Sequence, residues 1–284
     1  MKNLQQKVQI NMQGIIIKII SNDYTIKCGS NLYICKARGK FRKDKITPLV
    51  GDNVLFDVEK KYIIDVLPRK TCLVRPPVAN IDQAFVVTSV KHPDLDLNLL
   101  DKMLCIIEYN NIKPIICFTK MDLLDDLEYV NSIIDYYKKI GYTVFTNTEI
   151  DEIKKVFKNK VTVFTGQSGA GKSTLLNKLD SNLNLKTDEI SMALGRGKHT
   201  TRHVELIELY DGLIADTPGF SSINFIEMSN ADIRDNFIEF NKYREYCEYK
   251  DCMHNKEVNC EIKKRLNGDI LNSRYENYIK FISR

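Results

Sequence analysis

The chain of 284 residues lacks the features that mark membrane, secreted and repeat proteins. No apolar run reaches the roughly 18 residues that a membrane-spanning helix needs. The first residues, MKNLQQKVQINMQG, contain no apolar stretch of the signal-peptide type. Internal repeats and low-complexity segments are also missing. These absences predict a cytoplasmic protein with no membrane partner.

A disulfide framework is excluded by the same reasoning, although the chain has 8 cysteines. In a reducing compartment thiols stay free. Five cysteines are scattered through apolar or strand-like stretches and are expected to pack in cores: Cys28, Cys35, Cys72, Cys105 and Cys117. The other three lie close together near the C-terminus, where their spacing indicates a different role.

The positive charge of the chain is concentrated in its N-terminal part. The formal net charge is +5, and residues 1–68 carry 12 Lys or Arg against 6 Asp or Glu. The densest stretch is Lys36–Lys45, KARGKFRKDK, which has an aromatic ring inside it. Such a loop suits contacts with nucleic-acid phosphates, and it is equally compatible with an ordinary solvated surface loop.

Three patterns divide the chain into predicted domains of residues 1–68, 71–228 and 229–284. In the first, five short strand-like stretches separated by turn signals predict a small β-barrel, for which the OB-fold is the common five-stranded form. The predicted strands are Ile15–Ile20, Tyr24–Cys28, Leu32–Ala37, Val54–Val58 and Tyr62–Leu67. Pro68 and Pro76-Pro77 bracket a predicted linker.

From Ile81 onwards strands and helices alternate, which predicts an α/β domain with a mostly parallel sheet covered by helices. The predicted strands are Ala84–Val90, Ile115–Phe118, Tyr142–Phe145, Val161–Thr165, Leu206–Leu209 and Leu213–Ala215. The predicted helices are Leu97–Tyr109, Tyr129–Ile140 and Ser173–Leu179. Beyond about residue 228 only helical patterns remain.

A phosphate-binding loop follows the strand Val161–Thr165. The sequence matches G-x-x-x-x-G-K-[ST], and Thr174 extends the predicted nucleotide-binding set, which is Gly166, Gln167, Ser168, Gly169, Ala170, Gly171, Lys172, Ser173 and Thr174. Glycines let backbone N–H groups curl around phosphates, Lys172 reaches the terminal phosphates, and the Ser173 hydroxyl ligates Mg²⁺. A glycine-rich turn without function is the less favoured interpretation, because the loop lies between a β-branched strand and an apolar helix.

Two further motifs favour GTP over ATP. Asp216-Thr217-Pro218-Gly219 closes a strand and fits D-x-x-G, in which the Asp holds Mg²⁺ through water and the Gly amide senses the γ-phosphate. Thr119-Lys120-Met121-Asp122 ends another strand and fits the guanine-reading N-K-x-D, with Thr in place of Asn. Asp122 is kept, and its carboxylate matches the two donors of guanine.

The order of these motifs is permuted. Ordinary GTPases run from the phosphate loop through D-x-x-G to N-K-x-D, whereas here the base-reading motif comes about fifty residues before the phosphate loop. A sheet built from the same strands but cut elsewhere would produce this order and leave the site unchanged in space. Thr146-Asn147-Thr148 then falls where the last guanine-contacting loop is expected.

The C-terminal cysteines belong to a compact metal-ligand pattern. Cys247, Cys252, His254 and Cys260 supply three thiols and one imidazole within 14 residues. Such a set makes a closed tetrahedral Zn²⁺ site, structural because no ligand position stays open. The spacing differs from the usual C-x2-C, so an accidental cluster stays the alternative. The prediction is one structural zinc per chain.

These motifs together resemble the ribosome small-subunit-dependent GTPase A family of bacterial assembly factors. The likeness covers nearly the whole chain and includes RPPVANIDQ at 75–83, TKMD, GQSGAGKST, GRGKHTTR at 195–202, DTPGF at 216–220 and the Cys/His cluster. It implies an N-terminal OB-fold, a circularly permuted P-loop GTPase domain and a small helical zinc domain. It also implies binding to the 30S subunit and its 16S rRNA late in maturation, with GTP hydrolysis stimulated by the subunit. The protein is expected to act as a monomer.

One departure from Ras-like GTPases bears on mechanism. Phe220 stands where those enzymes carry the Gln that orients the attacking water. The resemblance places His199 in that role, although an rRNA contact in a basic loop is the alternative. One of Thr200 and Thr201 is expected to reach Mg²⁺, and the sequence leaves open which.

Two other functions are alternatives to a ribosome-assembly GTPase. A metabolic P-loop kinase would turn over without ribosomes, and TKMD speaks against it. A non-catalytic RNA-binding protein would hold GTP only as a structural ligand.

Overall fold

The computed structural model describes residues 11–39, 41, 46–74, 77–183, 204–216, 225 and 228–284. The predicted sites His199, Thr200, Thr201 and Gly219 lie outside these ranges, as do Phe220 and most of the basic stretch at 40–45. Among the described residues no helix has both the length and the apolar character needed to cross a bilayer.

The N-terminal segment forms the predicted five-stranded barrel. Its strands are β1 (Asn11–Ile20), β2 (Asp23–Cys28), β3 (Asn31–Ala37), β4 (Asn53–Asp57) and β5 (Tyr62–Val66). They pair in the order β1-β2-β3-β5-β4, and β4 also pairs with β1, which closes the barrel. Alternate side chains point inward, and Ile16, Ile26, Phe56 and Ile63 have no exposed surface. The OB-fold prediction is confirmed, with strand ends that lie within four residues of the predicted ones.

The described residues around the predicted linker form strands. They form a two-stranded antiparallel sheet of β6 (Cys72–Val74) and β7 (Pro77–Ala79). The Arg69 guanidinium donates to both carboxylate oxygens of the buried Asp52, at 2.7 and 2.8 Å. At Gly51, with φ of 91°, a Cβ would lie 2.0 Å from the Ala79 carbonyl oxygen, so only glycine fits this approach. Arg69 and Ala79 are therefore both held against the barrel residues Gly51 and Asp52.

The central segment is the predicted α/β domain. Its strands are β8 (Gln83–Ser89), β9 (Lys113–Thr119), β10 (Thr143–Thr146), β11 (Val161–Gly166), β12 (Glu205–Leu209) and β13 (Gly212–Asp216). Its helices are α1 (Leu97–Tyr109), α2 (Glu128–Ile140), α3 (Ile150–Lys155) and α4 (Lys172–Leu179). The strand order is β10-β9-β8-β11-β13-β12, parallel except for β12. All seven residues of β8 are buried, as expected for a strand covered on both faces.

The barrel and the sheet of the α/β domain are continuous. Strand β12 pairs antiparallel with β1, and the described strands of both units form one sheet of eleven. This pairing could not be predicted from the sequence, because it joins strands separated by nearly two hundred residues.

The C-terminal segment is helical, as predicted. It contains α5 (Asn230–Asp235), α6 (Glu261–Lys264) and α7 (Asn272–Ile282). Its aromatic core includes Phe237, Phe240 and Tyr278, and the same cluster contains Cys105 and Ile106 of α1. Packing therefore crosses the predicted boundary at residues 228 and 229, which stays a prediction.

A buried ion network holds this segment against the α/β domain. Arg274 of α7 is 1% exposed and lies 2.5 Å from an Asp101 carboxylate oxygen on α1. It also donates to both oxygens of Glu239. Tyr137 and Asn277 donate to Asp101 at 2.5 and 2.7 Å. Burial raises the pKa of Asp101, and the Arg274 charge opposes that shift.

Arg274→Met is expected to lower the free energy of unfolding by about 3 kcal/mol, because it leaves two buried carboxylates without a cation. Urea denaturation followed by circular dichroism measures the change. Arg265→Met is the matched control in the same segment, since the Arg265 side chain is 42% exposed and its ion pair with Glu261 is open to solvent on the arginine side. Equal stability of both variants would show that the network contributes nothing.

Candidate nucleotide site and metal cluster

The predicted nucleotide motifs meet at one edge of the sheet. The parallel strands end there together, with Ser89 opposite Thr119, Val87 opposite Gly166 and Phe118 opposite Thr146. Ligands of open α/β sheets bind outside these carboxyl ends. The permuted chain order therefore leaves the motifs adjacent in space.

The phosphate loop has the backbone that its sequence predicts. Gly166 has φ of 141°, and a Cβ there would lie 2.0 Å from the Val87 carbonyl oxygen. Gly171, with φ of 89°, caps α4, which begins at Lys172. The Lys172 ammonium donates to the carbonyls of Gly166 and Gln167 at 2.9 and 2.8 Å. The helix N-terminus and the loop together form an anion-binding site.

The base-reading motif is hydrogen-bonded to the phosphate loop. The Thr119 hydroxyl lies 2.6 Å from the Ala170 carbonyl oxygen, and the Lys120 ammonium lies 2.8 Å from that of Gly169. Lys120 adopts a left-handed φ of 61°, which directs the chain into the turn that follows. Thr in place of Asn thus keeps a donor to the phosphate loop, and the two motifs form a single unit.

Asp122 lies in the 3₁₀ turn Met121–Leu123, and its side chain is exposed at the edge of the sheet. The Lys91 ammonium donates to the Leu123 carbonyl at 3.0 Å and so holds the turn in place. The carboxylate is accessible to a ligand seated beyond the strand ends.

The loop after β10 lies directly beside this motif. The Asn147 backbone N–H donates to the Phe118 carbonyl at 2.9 Å. Glu149 accepts from the Thr146 backbone and hydroxyl at 2.6 and 2.9 Å, which closes the loop. The Asn147 Oδ1 atom is buried and accepts no hydrogen bond among the described residues. An orphan acceptor at this position suits a donor supplied by a ligand.

Sequence reasoning missed the loop after β8. The His92 carbonyl accepts from the Lys120 ammonium, and Pro93 lies 3.6 Å from where a Cβ on Gly169 would stand. This loop therefore supports both nucleotide motifs. Its only signal in the sequence is its position after a buried strand, which is common to every parallel strand.

Asp216 ends β13 and lies opposite Glu205 of β12 in the antiparallel register. Strand β13 also runs beside β11, which carries the phosphate loop, with Val163 opposite Ala215. The backbone of Asp216 is therefore one strand away from the phosphate loop, as a Mg²⁺-associated residue requires.

The four predicted metal ligands converge. The ligand atoms of Cys247, Cys252, His254 and Cys260 all lie within 4.8 Å of one another, and three of the residues are buried. His254 Nδ1 lies 3.7 Å from Cys247 Sγ and 3.3 Å from Cys260 Sγ. Tetrahedral zinc with ordinary bond lengths would hold sulfur and nitrogen about 3.5 Å apart. The residues thus fit a structural metal, with Nδ1 as the histidine ligand.

Burial shifts the pKa values of the cluster residues and so sets how they take up a cation. It lowers the pKa of His254 to about 4 and raises that of Cys252 to about 12. The imidazole is therefore neutral at pH 7, and the buried thiols lose their protons only when a cation compensates the charge. Tyr275 and Tyr278 donate to the carbonyls of His254 and Met253 at 2.7 and 2.6 Å and fix the loop against α7.

Comparison with known proteins agrees with this geometry. A family profile described as RsgA GTPase matches residues 66–226, and one described as RsgA N-terminal domain matches residues 13–63. A protein of Enterococcus faecalis named Small ribosomal subunit biogenesis GTPase RsgA is 48% identical over 282 residues, covering 96% of this chain and 95% of its own length. A protein of the same name from Latilactobacillus sakei subsp. sakei is 47% identical over 281 residues, covering 94% of each chain.

Solved structures give the same result. The crystal structure of YloQ, described as a circularly permuted GTPase, has a TM-score of 0.84 and 35% identity and covers 98% of this chain and 96% of its own. YjeQ from Thermotoga maritima has a TM-score of 0.83 and 32% identity, covering 96% and 98%. With the permuted site on the sheet edge and matches over nearly the full length, the chain belongs to the RsgA GTPase family and is a GTP-hydrolysing enzyme of circularly permuted fold.

Proposed function

We propose that this GTPase binds the small ribosomal subunit, acts in its late maturation, and hydrolyses GTP to GDP and phosphate when the subunit stimulates it. The observation that supports a guanine-nucleotide switch is the direct bonding of Thr119 and Lys120 to the phosphate loop. The names of the Enterococcus and Latilactobacillus relatives support the ribosomal role. The protein acts in the cytoplasm as a monomer.

Guanine is read by the exposed Asp122 and by the loop at Thr146–Thr148. The Asp122 carboxylate matches the N1–H and 2-amino donors of guanine and repels the N1 lone pair of adenine. The orphan Asn147 Oδ1 offers a further acceptor beside it. GTP and GDP are therefore expected to bind far better than ATP.

Asp122→Asn is expected to lower GTP affinity by about 10- to 100-fold, because a hydrogen bond to a charged group contributes roughly 1.5–3 kcal/mol. The same change is expected to raise affinity for xanthine nucleotides, whose 2-oxo group needs a donor. Competition with a fluorescent GDP analogue measures both. Asp125→Asn, an exposed acid three residues on, is the control. Equal affinity of the unaltered protein for ATP and GTP would contradict the assignment.

The phosphates and Mg²⁺ are held by the phosphate loop and Asp216. Gly166–Thr174 surround the phosphates, with Lys172 on the terminal ones. Ser173 binds Mg²⁺, Asp216 reaches it through water, and one of Thr200 and Thr201 completes its ligands when GTP is bound. The Gly219 amide senses the γ-phosphate.

RNA contacts are assigned to the barrel, whose fold is a common nucleic-acid binder. Its described cations include Lys36 and Arg38, which lead into the basic stretch at 40–45. One structural Zn²⁺ per chain is assigned to the Cys/His cluster.

The decisive experiment compares GTP hydrolysis with and without purified 30S subunits. Slow hydrolysis by the free protein and a marked rise with subunits are expected, because Phe220 leaves the attacking water without a polar partner. A metabolic kinase would turn over without subunits in the presence of its acceptor. A protein that holds GTP only structurally would hydrolyse none in either condition.

A further inference from the structure

The barrel is joined to the nucleotide site by a row of residues across three strands. Lys18 of β1 lies opposite Glu205 of β12, and Glu205 lies opposite Asp216 at the end of β13. Strand β13 in turn runs beside β11, which carries the phosphate loop. Only β12 therefore lies between the barrel strand β1 and Asp216 of β13, the residue assigned to Mg²⁺.

Two ion pairs secure this row. The Lys18 ammonium lies 2.7 Å from a Glu205 carboxylate oxygen. Lys27 of β2 reaches across β1 to bind Glu208 of β12. Each end of β12 is therefore attached to a lysine of the barrel.

These pairs have little value for stability alone. Lys18 and Glu205 are 35% and 26% exposed, and Glu208 is 67% exposed. Pairs at the surface contribute about 0–1 kcal/mol. Their placement is more informative, because β12 follows the segment 184–203 in the chain and that segment contains the predicted GTP-sensing residues.

We propose that Lys18 and Lys27 are positioning residues for GTP hydrolysis. They hold β12 in register with the barrel, and β12 sets the end of β13 where Asp216 meets Mg²⁺. A ligand that displaces the barrel strands would act on the nucleotide site through this row. The barrel is then the route by which the subunit stimulates hydrolysis, a role that rests on the proposed function.

The test is a charge swap. Lys18→Glu and Glu205→Lys each place like charges opposite one another, which weakens strand pairing. Each single change is expected to lower kcat at saturating 30S subunits by about three- to tenfold, which lies within the range of coupling found for residues between sites. The KM for GTP and the affinity for subunits are expected to stay within twofold. The double variant Lys18→Glu/Glu205→Lys is expected to restore kcat. Lys18→Arg keeps the positive charge and is expected to keep the kcat of the unaltered protein. Lys27→Glu with Glu208→Lys is expected to behave in the same way.

A matched control uses another surface ion pair between units. Lys139 of α2 and Asp269 lie 3.1 Å apart, and neither residue belongs to β1, β2, β12 or β13. Lys139→Glu is expected to leave kcat unchanged.

The outcomes separate the two proposals. If Lys18→Glu weakens subunit binding and the swap does not restore it, Lys18 is an RNA contact and the inference is wrong. Unchanged kcat in all the single variants also overturns it. Should the unaltered protein show no stimulation, the proposed function fails, and the intrinsic kcat of the same variants decides the inference. A loss restored by the swap would then support it, and no loss would reject it.

Discussion

Removal of the metal is expected to unfold the C-terminal unit while GTP binding persists. Structural zinc contributes roughly 10–16 kcal/mol of apparent free energy in zinc-finger peptides, which is as large as the whole stability of a typical domain. The loop from Cys247 to Cys260 contains turns and bends but no helix or strand, so it has little regular structure of its own. GTP binding persists because the phosphate loop and the metal ligands belong to different units.

Elemental analysis of protein purified without chelators is expected to find one zinc per chain. Cys252→Ser should lose the metal and make residues 229–284 susceptible to limited proteolysis. Cys72→Ser is the control, because Cys72 is an exposed thiol outside the cluster. Absence of zinc, or a proteolysis pattern equal to that of the unaltered protein, would contradict the assignment.

The metal site should also depend on pH in a defined direction. Since burial raises the pKa of Cys252 to about 12, the metal-free thiol is protonated at neutral pH. Zinc uptake then releases protons, and the apparent zinc affinity should fall as the pH is lowered. Zinc titration in unbuffered solution, with the proton release recorded, measures this linkage.

His199→Ala is expected to lower the subunit-stimulated rate by about 10²- to 10⁴-fold, the range for a lost positioning or acid–base group. The reason is Phe220, whose apolar ring cannot orient water. The neighbours Arg196, Lys198 and Arg202 give this segment a reason to respond to RNA. Docking on rRNA is expected to bring His199 to the γ-phosphate, a switch of the kind that GTPases use.

Single-turnover hydrolysis at saturating 30S subunits measures the effect, and sedimentation measures subunit binding. GTP affinity and subunit binding should change little. His203→Ala, in the same stretch of sequence, is the matched control. If His199→Ala hydrolyses normally at saturation but binds subunits weakly, the residue is an RNA contact and has no part in the chemistry.

Much of the site was predictable because it depends on local sequence. The glycines at 166 and 171 need positive φ, and their spacing before Lys172 defines a phosphate loop without reference to distant residues. Three thiols and an imidazole within 14 residues likewise define a metal site, because a short chain brings its own ligands together. Alternation of strands and helices predicted the α/β class for the same reason.

The tertiary structure alone decided which distant residues meet. Lys120 carries no sign in the sequence that its ammonium bonds to Gly169 and to the carbonyl of His92. In the sequence Arg274 is one of several cations in a helical stretch, yet in the structure it is buried against Asp101, 173 residues away. Lys18 faces Glu205 for the same reason. The local sequence pattern indicates whether a residue favours burial or a turn. Which residue it contacts depends on how strands and helices from remote parts of the chain pack together. The sequence by itself therefore determined the chemistry of this protein, and the tertiary structure determined how its barrel, nucleotide site and metal cluster are joined.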